Sequence, residues 1–222
     1  AAVINITPDH LDRHITVENY ADVKSRIFEN QTKEDFAIIN YDDPAVKKMS
    51  ESLKSQIIFF SRKEKLEQGI YIEDGIIKYA DSSCTRDIIS REEVFLKGGH
   101  NLENVMATIG LCIAAAIDQE VMKRVLREFR GVEHRLELVD CIDGVEFIND
   151  SKGTNTDSSI KALEAYDHDV ILIAGGYDKK AEFGDFVKMF SGRVKHAIFM
   201  GATSQKLADA CIENVYTQFS FA

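Results

Sequence analysis

Apolar residues recur along this chain in two alternating rhythms. Short apolar runs at residues 2–6, 36–40 and 57–60 predict strands, and residues 17–30 and 44–53 predict helices between them. In the first helix Tyr20, Val23, Ile27 and Phe28 fall at helical spacing, and Thr16 can cap its start. At residue 69 the period changes. Residues 69–79 (GIYIEDGIIKY) read as two short strands around Glu73-Asp74-Gly75, a hairpin signal, and residues 87–96 continue in short β pieces. Residues 101–117 predict a strongly apolar helix and residues 120–129 an amphipathic one. After Gly131 the β signal restarts with a hairpin over 136–148 that turns at Asp143-Gly144. Helix 158–166, strand 170–174, helix 183–190, strand 197–200 and helix 204–213 follow. Apolar strands alternating with helices predict an α/β fold with mostly parallel sheet covered by helices. A domain boundary is expected near Arg130-Gly131-Val132.

Composition narrows the function classes. With 45% hydrophobic and 29% charged residues over 222 positions, the chain is globular rather than disordered. Its 37 acidic against 27 basic residues give a formal charge of −10. Both nucleic acid and anionic lipid need a positive field, so neither is expected as a partner. An anionic substrate would need local basic residues to overcome that balance. The four cysteines, Cys84, Cys112, Cys141 and Cys211, show no CxxC spacing and read as buried, reduced thiols of a cytoplasmic protein. The longest apolar runs, at 109–117 and 170–174, are too short to span a bilayer, and no segment has the pattern of a signal peptide. The first residue is not Met and lies within a predicted strand, and the last residues carry no helix stop. The chain is therefore expected to be a piece of a longer protein.

Six segments could carry chemistry. Residues 5–14 (NITPDHLDRH) follow a strand, where α/β folds place their binding crevice. Asp9, His10 and Asp12 could hold Mg²⁺ or orient phosphates there, or the segment could be a solvated turn begun by Pro8-Asp9. Lys24 lies next to Tyr20, Val23, Ile27 and Phe28. It could snorkel to solvent, or be a desolvated amine that adds carbon dioxide to give a carbamate, an oxygen ligand suited to Mg²⁺. In residues 98–105 (GGHNLENV) two glycines permit close backbone approach, and Asn101 and Asn104 share a helix face. Their amides suit an adenine edge, or Asn101 could simply cap the helix. In EHRLE (133–137) Arg135 could fork onto a phosphate or ribose, or pair with Glu133 or Glu137. Residues 145–159 run from an apolar strand into Asp150-Ser151-Lys152-Gly153-Thr154-Asn155-Thr156 and then a helix. A basic side chain, hydroxyls, a glycine and a helix start have the plan of an anion site, without the GxxxxGK[ST] pattern of a P-loop, which occurs nowhere in the chain. Finally, VILIAGGYDKKAEF ends a buried strand in Gly175-Gly176, and a lysine following it could bind a carboxylate or stand in solvent.

The ordered set of these motifs resembles the Mur ligase family, over essentially the whole chain. The resemblance is nearest to members that add D-glutamate to UDP-N-acetylmuramoyl-L-alanine in peptidoglycan precursor synthesis. It implies the remainder of a P-loop-type central ATPase domain over 1–131, followed by a truncated, Rossmann-like amino-acid-binding domain over 132–222. It implies an ATP-dependent carboxylate–amine ligase using ATP and Mg²⁺, monomeric when complete. His10 and a carbamylated Lys24 would hold the metal, and Asn101 and Asn104 would face adenine. Arg135, Asp150 and Lys152 would reach ATP, with Lys152, His10 and Lys24 counted as catalytic. Thr154 and Lys179 would hold D-glutamate. The uridine-nucleotide domain, the P-loop and the final strands of the family pattern are absent from this sequence, so the chain alone is expected to be inactive. A folylpolyglutamate synthase-like ligase and a non-catalytic regulatory or scaffold relative stay open as alternatives.

Overall fold

The computed structural model describes residues 1–7, 11–96, 98–178 and 181–222, with backbone only for Leu11 and Asp12. The chain divides into two compact units, Ala1–Arg130 and Gly131–Ala222.

The first unit is built on a six-stranded sheet. Its strands are β1 (Ala2–Val3), β2 (Phe36–Asn40), β3 (Gln56–Ser61), β4 (Gly69–Glu73), β5 (Ile76–Ala80) and β6 (Thr85–Ser90), hydrogen-bonded in chain order. β1 to β4 run parallel, and β4–β5–β6 form an antiparallel meander. The β4–β5 turn places Asp74 and Gly75 at φ of 53° and 75°, the left-handed pair that a two-residue hairpin needs. The helices are α1 (Leu11–His14), α2 (Val17–Ser25), α3 (Pro44–Met49), α4 (Gly99–Ala114) and α5 (Gln119–Glu128).

β2 is covered on both faces. Ile38 joins a core with Ile58, Phe60, Ile70, Ile77, Val105, Met106, Ile109 and Leu126, where α4 and α5 pack. Ala37 and Ile39 point the other way, into a second core with Val3, Ile6, Phe28, Val46 and Met49. A strand buried on both sides reads as the continuous apolar run FAIIN, which is why it was legible as a parallel strand.

The second unit holds the hairpin β7 (Glu137–Ile142) and β8 (Val145–Asn149), and a parallel sheet of order β11 (Phe219–Phe221), β10 (Val194–Met200), β9 (Val170–Gly175). Helices α6 (Thr156–Leu163), α7 (Gly184–Lys188) and α8 (Ser204–Glu213) contribute to its core with Leu163, Phe186, Val187, Leu207 and Cys211. Phe190 sits at its centre, 0% exposed, edge-on to Phe186 and Tyr216 at 5.0 and 5.2 Å between ring centroids.

Several expectations are corrected. The strand expected over 2–6 pairs only at Ala2–Val3, and part of the expected loop after it forms α1. The helix expected over 17–30 ends at Ser25 and tightens to a 3₁₀ turn, Arg26–Phe28. β11 carried no sequence signal because three residues are too short for one. Cys84 and Cys141 are exposed rather than buried, whereas Cys211 is buried and its thiol pushed up to about 11 by desolvation. All four are free thiols. Among the described residues no helix is long and apolar enough to cross a membrane.

Two predictions follow from this packing. Phe190→Ala removes a fully buried ring, and unfolding in denaturant should show a loss of about 3–5 kcal/mol. Acid should also destabilise the meander. Hydrogen bonds from Lys65 and then Lys78 hold Glu73 below its ordinary 4.5, and the Ser83 and Cys84 amides hold Asp81 below 3.8. Because these folded-state values are depressed, their stabilisation is present above 4.5 and 3.8 and is lost as pH falls through the folded values. The thermal midpoint should therefore drop on acidification below pH 4.5, and Glu73→Gln with Asp81→Asn should flatten that drop.

Candidate functional site

The loop after β8 is tied to the turn at the start of the second unit. Asp150 Oδ1 accepts the Leu136 amide at 3.0 Å, and the Lys152 amide donates to the His134 carbonyl at 3.0 Å. His134 and Leu136 hold φ of 67° and 43°, which non-glycine residues adopt only when their surroundings over-determine them. Glu137 Oε2 supplies part of that restraint by accepting the His134 amide at 2.8 Å. The Asn149 amide nitrogen lies 2.8 Å from His134 Nδ1 and donates to Glu137 Oε2 at 3.4 Å. Two segments far apart in sequence thus form one rigid platform carrying Arg135, Asp150 and Lys152. Arg135 and Lys152 are both exposed, and among the described residues neither makes an ion pair. The alternative that Arg135 pairs with Glu133 or Glu137 is therefore not realised; Glu137 serves His134 and Asn149 instead. Tyr166 stands near this platform. Burial first, then the negative charges of Glu146 and Asp150, push its hydroxyl above the ordinary 10.0.

Asp150 does double duty in the same loop. The Gly153 amide returns to the Asp150 carbonyl at 2.8 Å, closing a tight turn before Thr154, which is exposed. Asn155 then caps α6 by accepting the Ser158 amide at 2.8 Å. The helix thus begins two residues before the expected position 158.

Beyond β9, Gly176 offers its carbonyl to the Thr203 amide at 3.2 Å, and Asp178 pairs with Lys206 of α8. The loops leaving β9 and β10 are stapled together by these bonds. Lys179 lies outside the described residues, as does His10 in the first unit.

In the first unit α4 starts at Gly99 with Gly98 as its cap residue, so Asn101 lies inside the first turn and is not the cap. Asn101 and Asn104 do share a face, with Asn104 Nδ2 donating to Asn101 Oδ1 at 3.4 Å. Lys24 is exposed on α2, its amine 5.3 Å from the Tyr20 ring centroid. Of the apolar neighbours expected beside Lys24, Phe28 is buried and Tyr20 packs partly buried on the same core, whereas Val23 and Ile27 are 48% and 56% exposed, so the expected stripe forms only on the Tyr20–Phe28 side. Among the described residues no three His, Cys, Asp or Glu side chains converge as a metal site. Sequence reasoning missed His134, Glu137 and Asn149 as organisers of the platform. The quoted EHRLE and NDSK segments held the signal, but the hydrogen bonds join residues up to 18 apart, as in Lys152 to His134.

The Mur ligase middle domain profile matches residues 1–112, and the Mur ligase glutamate ligase domain profile matches residues 134–220. The chain belongs to the Mur ligase family. A UDP-N-acetylmuramoylalanine–D-glutamate ligase from Thermoanaerobacter sp. (strain X514) is 48% identical over 218 residues, 98% of this chain and 48% of that protein. The ligase of the same name from Alkaliphilus oremlandii (strain OhILAs) is 46% identical over 208 residues, 94% of this chain and 46% of that protein. The chain thus spans about half the length of the curated Mur ligase relatives it matches. In fold, the crystal structure of MurF from Acinetobacter baumannii superposes with a TM-score of 0.73 at 17% identity, covering 99% of this chain and 49% of that one.

Asp150→Ala should unlock this Mur ligase platform. Losing the acceptor for Leu136 leaves a strained amide unpaired, at about 1–3 kcal/mol. Hydrogen exchange at Leu136 should accelerate relative to α8, and unchanged exchange would contradict the role given to Asp150.

Proposed function

We propose that this chain is part of an ATP-dependent ligase that joins D-glutamate to UDP-N-acetylmuramoyl-L-alanine. The observation that carries the reading is the platform in which Asp150 and Lys152 are bonded to the His134–Leu136 turn, holding Arg135 and Lys152 exposed and, among the described residues, without ion-pair partners. Identity of 48% to a ligase of that name supports the choice of substrate.

The reaction has two steps. A terminal carboxylate oxygen of the acceptor attacks the γ-phosphorus of ATP, the bond to the bridging oxygen breaks, and ADP leaves. The amine of D-glutamate then attacks the carbonyl carbon of the acyl phosphate. Phosphate leaves, and the amine gives up its proton as the amide forms. Phosphoryl transfer depends mainly on positioning and on neutralising charge over the transferred group. Arg135 and Lys152 are suited to that neutralisation because they are exposed cations that, among the described residues, make no ion pair. Asp150 acts on ATP through the loop it organises. The Asn101–Asn104 pair offers amide donors and acceptors on one helix face, the chemistry an adenine edge needs. Thr154 and Lys179 are assigned to D-glutamate.

Mg²⁺ would supply further charge neutralisation, held by His10 and a carbamylated Lys24. The described residues do not themselves complete a metal site, because Lys24 contributes an oxygen ligand only after carbamylation.

The test uses a complete ligase, made by joining this chain to the upstream half of the Thermoanaerobacter relative. Lys152→Ala should lower kcat/KM for ATP by ~100-fold or more. Lys24→Ala should abolish turnover and Lys24→Glu should retain part of it, because a carboxylate imitates a carbamate. Equal loss in both would count against the carbamate. The same assay with L-glutamate and a folate acceptor separates this reading from a folylpolyglutamate synthase-like one. The 222-residue chain assayed alone should show no turnover.

A further inference from the structure

The turn after β2, Asn40-Tyr41-Asp42-Asp43, holds more of the first unit in place than its length suggests. Asn40 is 2% exposed, and its side-chain amide donates to the Ile4 carbonyl at 2.9 Å while its Oδ1 accepts the Asp42 amide at 2.9 Å. Asp43 Oδ2 accepts the Ile6 amide at 2.9 Å, and its Oδ1 caps α3 through the Ala45 and Val46 amides. Ile4 and Ile6 are the backbone that leads into residues 8–14, where the family resemblance places the metal segment.

The other side of the turn grips the end of β3. Asp42 accepts the Ser61 hydroxyl at 2.5 Å and the Arg62 and Lys63 amides at 2.7 and 3.2 Å. Ser61 is itself 0% exposed. With its backbone fixed, Arg62 reaches α4 and donates from Nε to Glu103 Oε1 at 3.1 Å. Its guanidinium lies over Gly99, where an added Cβ would come within 3.2–3.5 Å of Arg62 Cζ, Nη1 and Nε. The side chains of Arg62 and Glu103 are 37% and 13% exposed, so the pair is partly shielded from water. A continuous relay therefore runs from Ile4 through Asn40, Asp42, Arg62 and Glu103 to the turn of α4 that bears Asn101 and Asn104.

We propose that Arg62, held by Asp42, is a positioning residue for the adenine face of α4, and that the Asn40–Asp43 turn links that face to the segment after Ile6. The inference rests on the ligase reading above, since only that reading gives the Asn101–Asn104 face its ligand. The ion pair to Glu103 ties the first turns of α4 to the end of β3, and the guanidinium fills the space that a side chain at Gly99 would need. Arg62 needs no contact with nucleotide to do so. Lysine at 62 can keep the ion pair but has no planar group to lie over Gly99.

Two measurements test this and separate it from the ligase reading. On the 222-residue chain, hydrogen exchange at Leu102, whose amide bonds to the Gly98 carbonyl, should accelerate about tenfold in Arg62→Ala and less in Arg62→Lys. Exchange at Ile6 should stay as it is. Asp43→Ser should do the reverse, because serine keeps the α3 cap but is too short to reach Ile6. In the complete ligase, Arg62→Ala should raise KM for ATP about tenfold with kcat within about twofold, and Arg62→Lys should recover part of the loss. A lowered melting temperature with both exchange at Leu102 and KM unchanged would reduce Arg62 to a structural contact and overturn the proposal. Faster exchange at Leu102 with KM for ATP unchanged would also overturn it, since the helix start would then have moved without consequence for nucleotide. If the unsubstituted ligase failed to use ATP at all, the ligase reading would fall, and the exchange result would still report the relay.

Discussion

Asn40 is a polar side chain at the end of a strand buried on both faces. At 2% exposure it has almost no access to water, so its amide must find partners within the protein. It finds them in the Ile4 carbonyl and the Asp42 amide, and that requirement fixes the first unit's site-bearing edge. Once Asp42 is placed, its carboxylate satisfies the Arg62 and Lys63 amides and the buried Ser61 hydroxyl. The sheet supplies the burial, and the burial makes the bonds of Asn40 and Ser61 obligatory. An exposed turn of the same sequence could exchange its partners for water at little cost, and the loops it anchors would then have no fixed origin.

The second unit meets a similar problem with a different device. No single buried polar group organises the start of this unit. Instead Asp150, Glu137 and Asn149 converge on two residues with left-handed backbone, His134 and Leu136. Strain of this kind persists only under multiple restraints. Its effect is to aim Arg135 outward from a turn that has little freedom to collapse onto Glu133 or Glu137.

The fold was largely readable because its signals are local. FAIIN and VILIAG are continuous apolar runs, and both hairpins announce themselves by an Asp-Gly turn. Boundaries slipped where tertiary pairing decides them: β1 stops at Val3 because only Ala2 and Val3 find partners on β2. The site was legible as a set of motifs but not as a geometry. Asn101 was readable as a helix-start residue, yet its place in the first turn depends on Gly98 adopting φ of 88°, which lets the helix begin earlier. Asp42 and Arg62 gave no warning at all, since they are 20 residues apart and look like ordinary surface charges. Lys24 shows the opposite failure. Helical spacing suggested a buried stripe beside it, but only Tyr20 and Phe28 of that stripe pack on the core while Val23 and Ile27 stay exposed, because periodicity states which residues share a face and not what covers that face.

Overall charge is a poor guide to what such a surface attracts. The chain carries −10, yet part of its acidic content is already committed: Glu73 to Lys65 and Lys78, Glu93 to Arg127, Asp185 to Lys188. Paired charges cancel at distances beyond the pair, and at physiological ionic strength fields fade within about 8 Å. An anion near the His134–Lys152 platform therefore responds to the nearest uncompensated groups. Among the described residues those include Arg135 and Lys152, which have no ion-pair partner. The acidic surplus sets how the molecule behaves at a distance, whereas close to the platform the exposed Arg135 and Lys152, unpaired among the described residues, contribute most of the positive charge. A net acidic chain can thus still present exposed cations, provided the backbone keeps them from pairing with the carboxylates beside them in sequence. The Asp150–Leu136 and Glu137–His134 bonds enforce that separation for Arg135.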